Sequence, residues 1–260
     1  MFEVAEAYEI MMGRWSRQLA PLFVEFAGVR DGDVVLDVGC GTGSLSSTLA
    51  RVTQAAKIVG VDPSARFIQA ARSQITDSRV TIELGDAQNL PYPIASVDRC
   101  LALLIVNFIP DAPKAAREMR RVTKPGGVVA TAMWDASPAN ELNQSLWKAA
   151  RELDENLKRP ASIRGSYGSA EALSNLWTDA GLSGIEVKDL AISCQFASFE
   201  ENWRRYLTGE GPNGAYVPGL SEERREALKE KLRENLLGRR ADGPFALTGK
   251  AWAVRGVVPD

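Results

Sequence analysis

Short apolar runs alternate with amphipathic stretches between residues 33 and 134 of the chain. The runs are rich in β-branched residues and are bounded by glycine, proline or aspartate, which predicts buried strands. The stretches between them repeat apolar residues at helical spacing, which predicts helices. The predicted strands are Val34–Val38, Lys57–Val61, Arg79–Glu83, Val97–Leu104 and Val128–Trp134.

Helices are predicted where the apolar spacing is three or four residues. They cover Leu19–Phe26 with a stop at Gly28, Arg66–Gln74, and a segment that begins with Asp111 as its cap and ends before Lys124-Pro125-Gly126-Gly127. Strands and helices that alternate in this way predict an α/β fold with a doubly wound, Rossmann-like sheet, mostly parallel.

Beyond residue 136 the pattern weakens. Helices are predicted over Glu141–Leu157 and Ser169–Ala180, and a sixth strand over Ile185–Ile192. Ala246–Gly256 is predicted to be a seventh strand, antiparallel and at the edge of the sheet. The elements group into an N-terminal helical cap, a main domain and a helical insertion, over residues 1–29, 30–198 with 242–260, and 199–241 respectively.

The predicted insertion carries Trp203, Tyr206 and a glycine-rich stretch over residues 209–216. This composition is typical of a lid over a substrate pocket. The aromatic residues favour a flat or apolar small molecule as the ligand.

Composition narrows the classes of partner. A hydrophobic content of 45%, a charged content of 25% and a net charge of −2 are those of a soluble globular protein and disfavour nucleic acid as the main partner. No apolar run has the length of a membrane span, and the first residues are acidic, unlike a signal peptide. A cytoplasmic location without membrane association is therefore expected. Cys40, Cys100 and Cys194 are widely spaced, so neither disulfides nor a metal site are predicted.

The chain contains no histidine. Nucleophilic systems that pair serine or cysteine with histidine, and zinc sites ligated by histidine, are therefore excluded. Proton transfer near neutral pH must use another side chain, water or the substrate. This composition favours an enzyme that takes its reactivity from a cofactor.

Three glycines at alternate positions, Gly39, Gly41 and Gly43, follow the first strand and precede a predicted helix. Such a loop lets backbone N–H groups approach a ligand, although a merely glycine-rich turn is the alternative. A dinucleotide site requires the spacing G-x-G-x-x-G, and a P-loop requires Gly-Lys-Ser/Thr. The chain has neither.

Two carboxylates follow the next strands. Asp62 ends the second strand, where an acid commonly accepts hydrogen bonds from both hydroxyls of a ribose. Asp86 follows the third strand and can accept from an exocyclic amine, while the N–H of Ala87 can meet a ring nitrogen. The alternatives are a helix cap for Asp62 and a turn residue for Asp86. Together the pair predicts a ligand that contains adenosine.

Four segments in this order resemble the successive motifs of class I S-adenosylmethionine-dependent methyltransferases, closest to the small-molecule branch that includes the quinone-biosynthesis C-methyltransferases. They are Val34–Gly43, Gly60–Ser64, Gly85–Pro91 and Lys124–Gly127. The resemblance covers about residues 30–135. It implies S-adenosylmethionine as cofactor and S-adenosylhomocysteine as product.

The resemblance also implies roles for single residues. The backbone at Gly39 and Gly41 would approach the methionine moiety, and Asp37 would hold its ammonium group, directly or through water. Tyr8 and Arg14 lie in the region that in such enzymes can reach the cofactor carboxylate.

At the adenosine end, Asp62 would accept the ribose hydroxyls, with Pro63 and Phe67 against the adenine. Asp86 would accept from the adenine amino group, beside Ala87.

After the fourth strand, relatives often read Ser-Ser-x-x-x-His-His, whereas this chain reads Ala-Leu-Leu-Ile-Val-Asn-Phe from residue 102. Main-chain contacts of Ala102 and Leu103 with the cofactor can survive this change, but a histidine base cannot. The side chains that could act as a base instead are Tyr8, Asp135, Tyr167 and Tyr206.

The expected function is methyl transfer by in-line displacement to a small, aromatic or apolar metabolite. The alternatives are a regulatory protein that binds the cofactor without catalysis and, less favoured, a methyltransferase of macromolecules. No basic tract and no Asn-Pro-Pro-Tyr/Phe signature supports the last.

Overall fold

The computed structural model of the chain describes residues 9–55, 57–157, 166–209 and 211–260, apart from the side chain of Pro212. These residues form a mixed sheet surrounded by helices. The strands are β1 Val34–Val38, β2 Lys57–Asp62, β3 Val80–Leu84, β4 Val97–Leu103, β5 Thr123–Trp134, β6 Ser183–Phe196 and β7 Phe245–Val257. The helices are α1 Arg14–Ala27, α2 Ser44–Val52, α3 Ala65–Gln74, α4 Ala112–Val122, α5 Glu141–Leu153, α6 Ala170–Asp179, α7 Phe199–Arg204, α8 Gly211–Gly214 and α9 Glu222–Leu237.

The seven strands lie in the order β3-β2-β1-β4-β5-β7-β6. The pairs β1–β2, β2–β3, β1–β4 and β4–β5 are parallel, whereas β5 and β7 are antiparallel. The predicted fold class, a mostly parallel Rossmann-like sheet, is confirmed. Because the first five strands are parallel, their carboxyl ends lie at one edge, where open α/β sheets bind ligands.

The predicted place of β7 at the edge of the sheet is wrong, although its antiparallel direction is confirmed. β7 lies between β5 and β6, and it pairs with β5 from Val128↔Val257 to Trp134↔Ala251. β6 forms the edge instead. Most residues of its first half, which includes Glu186, Lys188 and Asp189, are exposed, and charges of this kind protect an edge from further pairing.

The fifth strand begins earlier than predicted. The helix ends before Lys124, as expected, but Lys124–Gly127 belong to β5, and the register of its pairing with β4 shifts between Val97 and Arg99. Gly126 has a φ of +72°, which a glycine adopts without strain. The bend needed after α4 is therefore accommodated by an irregularity within the strand.

The helix ends follow the local sequence closely. The side chain of Asp111 accepts a hydrogen bond from the N–H of Lys114 at the start of α4, as predicted. Ser64 and Ser169 cap α3 and α6 in the same way. Gly28, with a φ of +64°, follows α1 at the predicted stop.

The chain divides into two compact units. The larger unit comprises Ser16–Trp134, Ser166–Leu190 and Ala251–Asp260, and the smaller unit comprises Met1–Trp15, Asp135–Gly165 and Ala191–Lys250. β6 and β7 contribute residues to both. The division of the chain into an N-terminal cap, a main domain and an insertion stays a prediction.

Each unit has its own apolar core. In the larger unit, residues of β1, β2, β4 and β5 pack with α4 and α6 around Trp177. In the smaller unit, α5, α7 and α9 pack around Phe199, Trp203 and Tyr206. In the described part of the chain, every helix is too short or too polar to span a bilayer.

Candidate cofactor site

The loop after β1 is built tightly against the sheet. The N–H groups of Gly39 and Cys40 both donate to the carbonyl of Val61 on β2, at 2.7 and 2.9 Å. Gly39 has a φ of +72°, and a Cβ there would lie 2.8 Å from Cγ1 of Ile105. This glycine is therefore required by packing as well as by backbone conformation.

Gly41 is in a different environment. Its φ is +53°, but a Cβ at this position would meet no atom within 4 Å among the described residues. Its N–H donates to Oδ2 of Asp62 at 3.0 Å. The backbone at Gly41 therefore borders open space beside a carboxylate, an arrangement into which a ligand can fit.

The difference between these glycines gives a prediction. Gly39→Ala should lower the free energy of unfolding by about 2–3 kcal/mol, because it adds a clash with Ile105 to the strain of a positive φ. Gly41→Ala should lower it by only about 1 kcal/mol. Gly41→Ala should nevertheless weaken binding of S-adenosylhomocysteine, because its methyl group occupies the open space.

Urea unfolding without ligand and a binding titration separate the two effects. Equal losses of stability in Gly39→Ala and Gly41→Ala would contradict the distinction between a packed and an open glycine.

Asp62 ends β2 and is almost fully buried. Its two oxygens accept from the N–H groups of Gly41 and Ser64, at 3.0 and 2.9 Å. Burial raises the pKa of Asp62, and these two hydrogen bonds oppose that rise. A carboxylate has about four acceptor sites, so Asp62 retains capacity for the hydroxyls of a ribose. Ser64, not Asp62, is the cap of the following helix, so Asp62 is not the helix cap of the alternative interpretation. Its role toward a ribose stays a prediction.

Asp37 lies in the middle of the sheet, beside Gly60 on β2 and Leu101 on β4. It is 1% exposed, and the hydroxyl of Ser46 donates to its Oδ2 at 2.6 Å. Burial raises the pKa of Asp37 to about 7, and the negative charge of Asp62 adds to the rise. A cationic group bound beside Asp37 would lower this pKa again, which fits the ammonium group that the resemblance implies.

Asp86 follows β3 and is exposed. Its carboxylate accepts from the backbone N–H of Gln88 at 2.8 Å and from the Gln88 side chain at 3.2 Å. Ala87 is buried, and the Gln88 side chain also accepts from the N–H of Asp111. The turn role considered for Asp86 is therefore present, and its proposed contact with adenine stays a prediction.

Pro63 and Phe67 flank the start of α3, where Ser64 is the cap. Pro63 is exposed and Phe67 is partly buried. Pro63 directly follows Asp62 in the chain, and Phe67 lies in the first turn of α3. Their contact with adenine stays a prediction.

Ala102 and Leu103 form the carboxyl end of β4 and are buried. The carbonyl of Ala102 accepts from the Thr131 hydroxyl at 2.8 Å. The next residue, Leu104, has a φ of +63°, a conformation that is costly for a side chain with a Cβ. The strained turn places Ile105 against Gly39, so the segments after β4 and β1 meet at the predicted edge.

Tyr167 is the catalytic candidate that belongs to the larger unit. Its N–H donates to Oδ1 of Asn107 at 2.9 Å. It lines an open cleft of about 370 Å³ together with the segment that follows β4. Burial raises the pKa of Tyr167, with a smaller contribution from Asp111, which disfavours a phenolate base near neutral pH.

Three predicted residues belong to the smaller unit. Asp135 is buried, and its carboxylate accepts from the N–H and hydroxyl of Ser137 at 2.8 and 2.7 Å. Arg14 forms an ion pair with Glu201 at 2.5 Å. Tyr206 is fully buried. Tyr8 lies outside the described residues. The cofactor contact of Arg14 and the catalytic roles of Asp135, Tyr206 and Tyr167 stay predictions.

Sequence reasoning missed Ser46 and Ile105. Ser46 is the hydroxyl donor to Asp37, and its signal was a polar residue on the buried face of α2. Ile105 had no signal, because its contact with Gly39 depends on the positive φ of the preceding residue.

Within the described ranges, no cluster of three or more acidic or cysteine side chains could hold a metal ion. A mostly parallel sheet with a glycine loop after the first strand and an acid at the end of the second is the arrangement of nucleotide-binding α/β folds.

Comparison with known proteins identifies the family of this part of the chain. Residues 36–131 match the family described as a methyltransferase domain. The chain is 33% identical over 135 residues to the demethylmenaquinone methyltransferase of Symbiobacterium thermophilum, covering 48% of this chain and 53% of that protein. It is 32% identical over 142 residues to the malonyl-[acyl-carrier protein] O-methyltransferase of Yersinia pestis, covering 54% and 51%.

A solved structure shares the fold. Phosphoethanolamine N-methyltransferase 2 of Haemonchus contortus, solved with phosphomonomethylethanolamine and S-adenosylhomocysteine, superposes with a TM-score of 0.59 at 20% identity, covering 98% of this chain and 57% of that one. Residues 36–131 thus match a methyltransferase domain, as the resemblance predicted, and the solved structure shows a shared fold. The chain spans about half the length of both curated relatives.

Proposed function

We propose that this protein transfers a methyl group from S-adenosylmethionine to a small, aromatic or apolar metabolite by in-line displacement. The proposal rests mainly on Gly41 and Asp62, which are hydrogen-bonded to each other at the carboxyl edge of the sheet. There the N–H of Gly41 borders open space and donates to Asp62, an acid that ends the second strand. Backbone donors and a carboxylate with spare acceptor capacity suit the sugar and amino-acid parts of such a cofactor.

The chain's own residues have two tasks at this edge. Asp62 holds the glycine loop in place and accepts from ribose hydroxyls, and Asp37 supplies a buried negative charge for a cationic group. Both acids are positioned by the sheet itself, since Asp37 is paired with Gly60 within β1 and Asp62 is paired with Leu84 at the end of β2. The site is therefore organised before any ligand binds, which lowers the cost of binding.

A bound S-adenosylmethionine supplies a methyl group that is already activated by its sulfonium. The protein then contributes chiefly by orienting the acceptor, and orientation can contribute about 7–11 kcal/mol to a rate enhancement. A base is needed only where the acceptor must lose a proton.

The nature of the acceptor has two supports. The cleft beside Tyr167 is open, has a volume of about 370 Å³ and is formed mainly by the segment that follows β4. This volume lies in the range of small-molecule sites. One relative is named a demethylmenaquinone methyltransferase.

Methyl-labelled cofactor tests this function directly. The protein is incubated with labelled S-adenosylmethionine and a fractionated metabolite extract, and label is followed by mass spectrometry. We expect label to move into a small apolar product in the presence of the wild-type protein and not of Asp62→Ala.

Label in protein or nucleic acid would contradict a small-molecule acceptor. Binding of S-adenosylhomocysteine without label in any fraction would favour the non-catalytic alternative.

A further inference from the structure

The smaller unit buries a guanidinium without an acid partner. Arg205 follows α7 and is 1% exposed. Its Nη2 donates to the carbonyl of Leu142 at 2.7 Å, but Nε and Nη1 have no acceptor among the described residues. Among the described residues, no carboxylate forms an ion pair with Arg205. A buried charge without a counter-ion is costly, so arginine is an unfavourable choice for packing alone.

A second guanidinium, that of Arg14, acts on Arg205. Burial is the main cause that lowers the pKa of Arg205; Tyr206 and Cys194 oppose it, and the positive charge of Arg14 adds to the lowering. Arg14 is itself neutralised by Glu201, at 2.5 Å. One positive charge in this region is thus left without compensation.

Two more buried residues with unpartnered polar atoms lie next to Arg205 along the chain. Asn202 and Tyr206 stand three residues before and one residue after Arg205, so Asn202 shares its helical face with both. Both are fully buried, and neither the amide of Asn202 nor the hydroxyl of Tyr206 has a partner within the described ranges. The Tyr206 ring centre lies 4.9 Å from the guanidinium carbon of Arg205.

Trp15 lies in the same region as Arg205, because both side chains lie close to the ring of Phe196. The ring centres of Trp15 and Phe196 are 5.3 Å apart, and the guanidinium carbon of Arg205 lies 5.7 Å from the Phe196 ring centre. Nε1 of Trp15 is buried and has no acceptor in the described structure. Native proteins leave few such atoms unpaired, and a cluster of them requires an explanation.

We propose that Arg205, Asn202, Tyr206 and Trp15 form a binding site in the smaller unit for a small organic carboxylate with an apolar or aromatic body. Unpaired donors outnumber the single unpaired acceptor, the carbonyl of Asn202, and a carboxylate is acceptor-only. One uncompensated charge matches a monoanion better than a phosphate, which carries nearly two. The surrounding rings suit an apolar body. Water could satisfy the hydrogen bonds but would not balance the charge.

The proposal concerns the smaller unit alone and does not depend on methyl transfer. Its test compares carboxylates with their uncharged amides: benzoate with benzamide, phenylacetate with phenylacetamide, and hexanoate with hexanamide. Thermal unfolding of the full chain is recorded with each compound at millimolar concentration. We expect at least one carboxylate to raise the unfolding midpoint while its amide does not. If no carboxylate exceeds its amide, the proposal is wrong.

Arg205→Met tests the anchor. It should weaken binding of the active carboxylate about 100-fold, because it removes a charge-assisted contact. It should also leave the ligand-free midpoint unchanged or raise it, because an unpaired buried charge is replaced by an apolar side chain of similar length. Arg204→Met is the matched control, since Arg204 is adjacent and exposed. Equal affinity in Arg205→Met and Arg204→Met would overturn the proposal.

Tyr206→Phe provides a second test of the site, which can be used if Arg205→Met does not fold. It removes only a hydroxyl that has no partner in the described structure, so the ligand-free protein should lose no stability. Binding of the carboxylate should weaken about 3- to 10-fold. A loss of ligand-free stability without loss of binding would show that the hydroxyl is structural and would count against the site.

Discussion

Asp37→Asn should stabilise the ligand-free protein above pH 7 and have no effect on its stability below about pH 4. Burial raises the pKa of Asp37 to about 7 in the folded protein, whereas the ordinary pKa of an aspartate is about 3.9. The folded protein therefore holds a proton that the unfolded chain has lost, and stability falls as the pH rises from about 4 to 7. The loss amounts to about 4 kcal/mol when complete. Asparagine never ionises and keeps an acceptor for the Ser46 hydroxyl.

Urea unfolding of wild type and Asp37→Asn at pH 5, 6 and 8 measures this difference in stability. The contributions of the other ionisable groups to stability are the same in the two proteins at each pH and therefore cancel. The advantage of the variant should grow with pH up to about 7 and then level off. An advantage that is the same at every pH would contradict the raised pKa. If Asp37 also holds the cofactor's ammonium group, the variant should bind S-adenosylmethionine more weakly while it gains stability.

Much of the larger unit could be predicted because local patterns decide it. Val34–Val38 was predicted at its observed bounds, since a β-branched run ends at a glycine whose positive φ a strand cannot continue. The capping carboxylate of Asp111 fixed the start of α4. Parallel strands then bring the glycine loop and Asp62 to one edge whatever the details of packing.

The rest depends on contacts between distant residues, which periodicity does not contain. The position of β7 inside the sheet follows from its pairing with β5. The sequence pattern of an antiparallel strand is the same whether the strand lies at the edge of a sheet or within it. Arg205 appears in sequence as one of several charges in a helical stretch, where a solvated face is the ordinary interpretation. Its aromatic neighbours, Trp203 and Tyr206, were the available signal that the segment is buried.

Asp62→Ala should nearly abolish binding of S-adenosylhomocysteine. The substitution removes the acceptor for ribose hydroxyls and releases the N–H groups of Gly41 and Ser64 that Asp62 holds. Hydrogen bonds to a charged group contribute about 1.5–3 kcal/mol each, so affinity should fall about 100-fold. At a ligand concentration 100 times the wild-type dissociation constant, stabilisation should fall from about 2.7 to about 0.4 kcal/mol. Asp31→Ala is the control, because Asp31 is exposed and precedes the amino end of β1.

Titration calorimetry of wild type, Asp62→Ala and Asp31→Ala with S-adenosylhomocysteine and with NAD tests the assignment of the cofactor most directly. We expect wild type and Asp31→Ala to bind S-adenosylhomocysteine with equal affinity and Asp62→Ala to bind it about 100-fold more weakly. We expect NAD not to bind. Binding of NAD by the wild-type protein without binding of S-adenosylhomocysteine would contradict the assignment of S-adenosylmethionine as the cofactor.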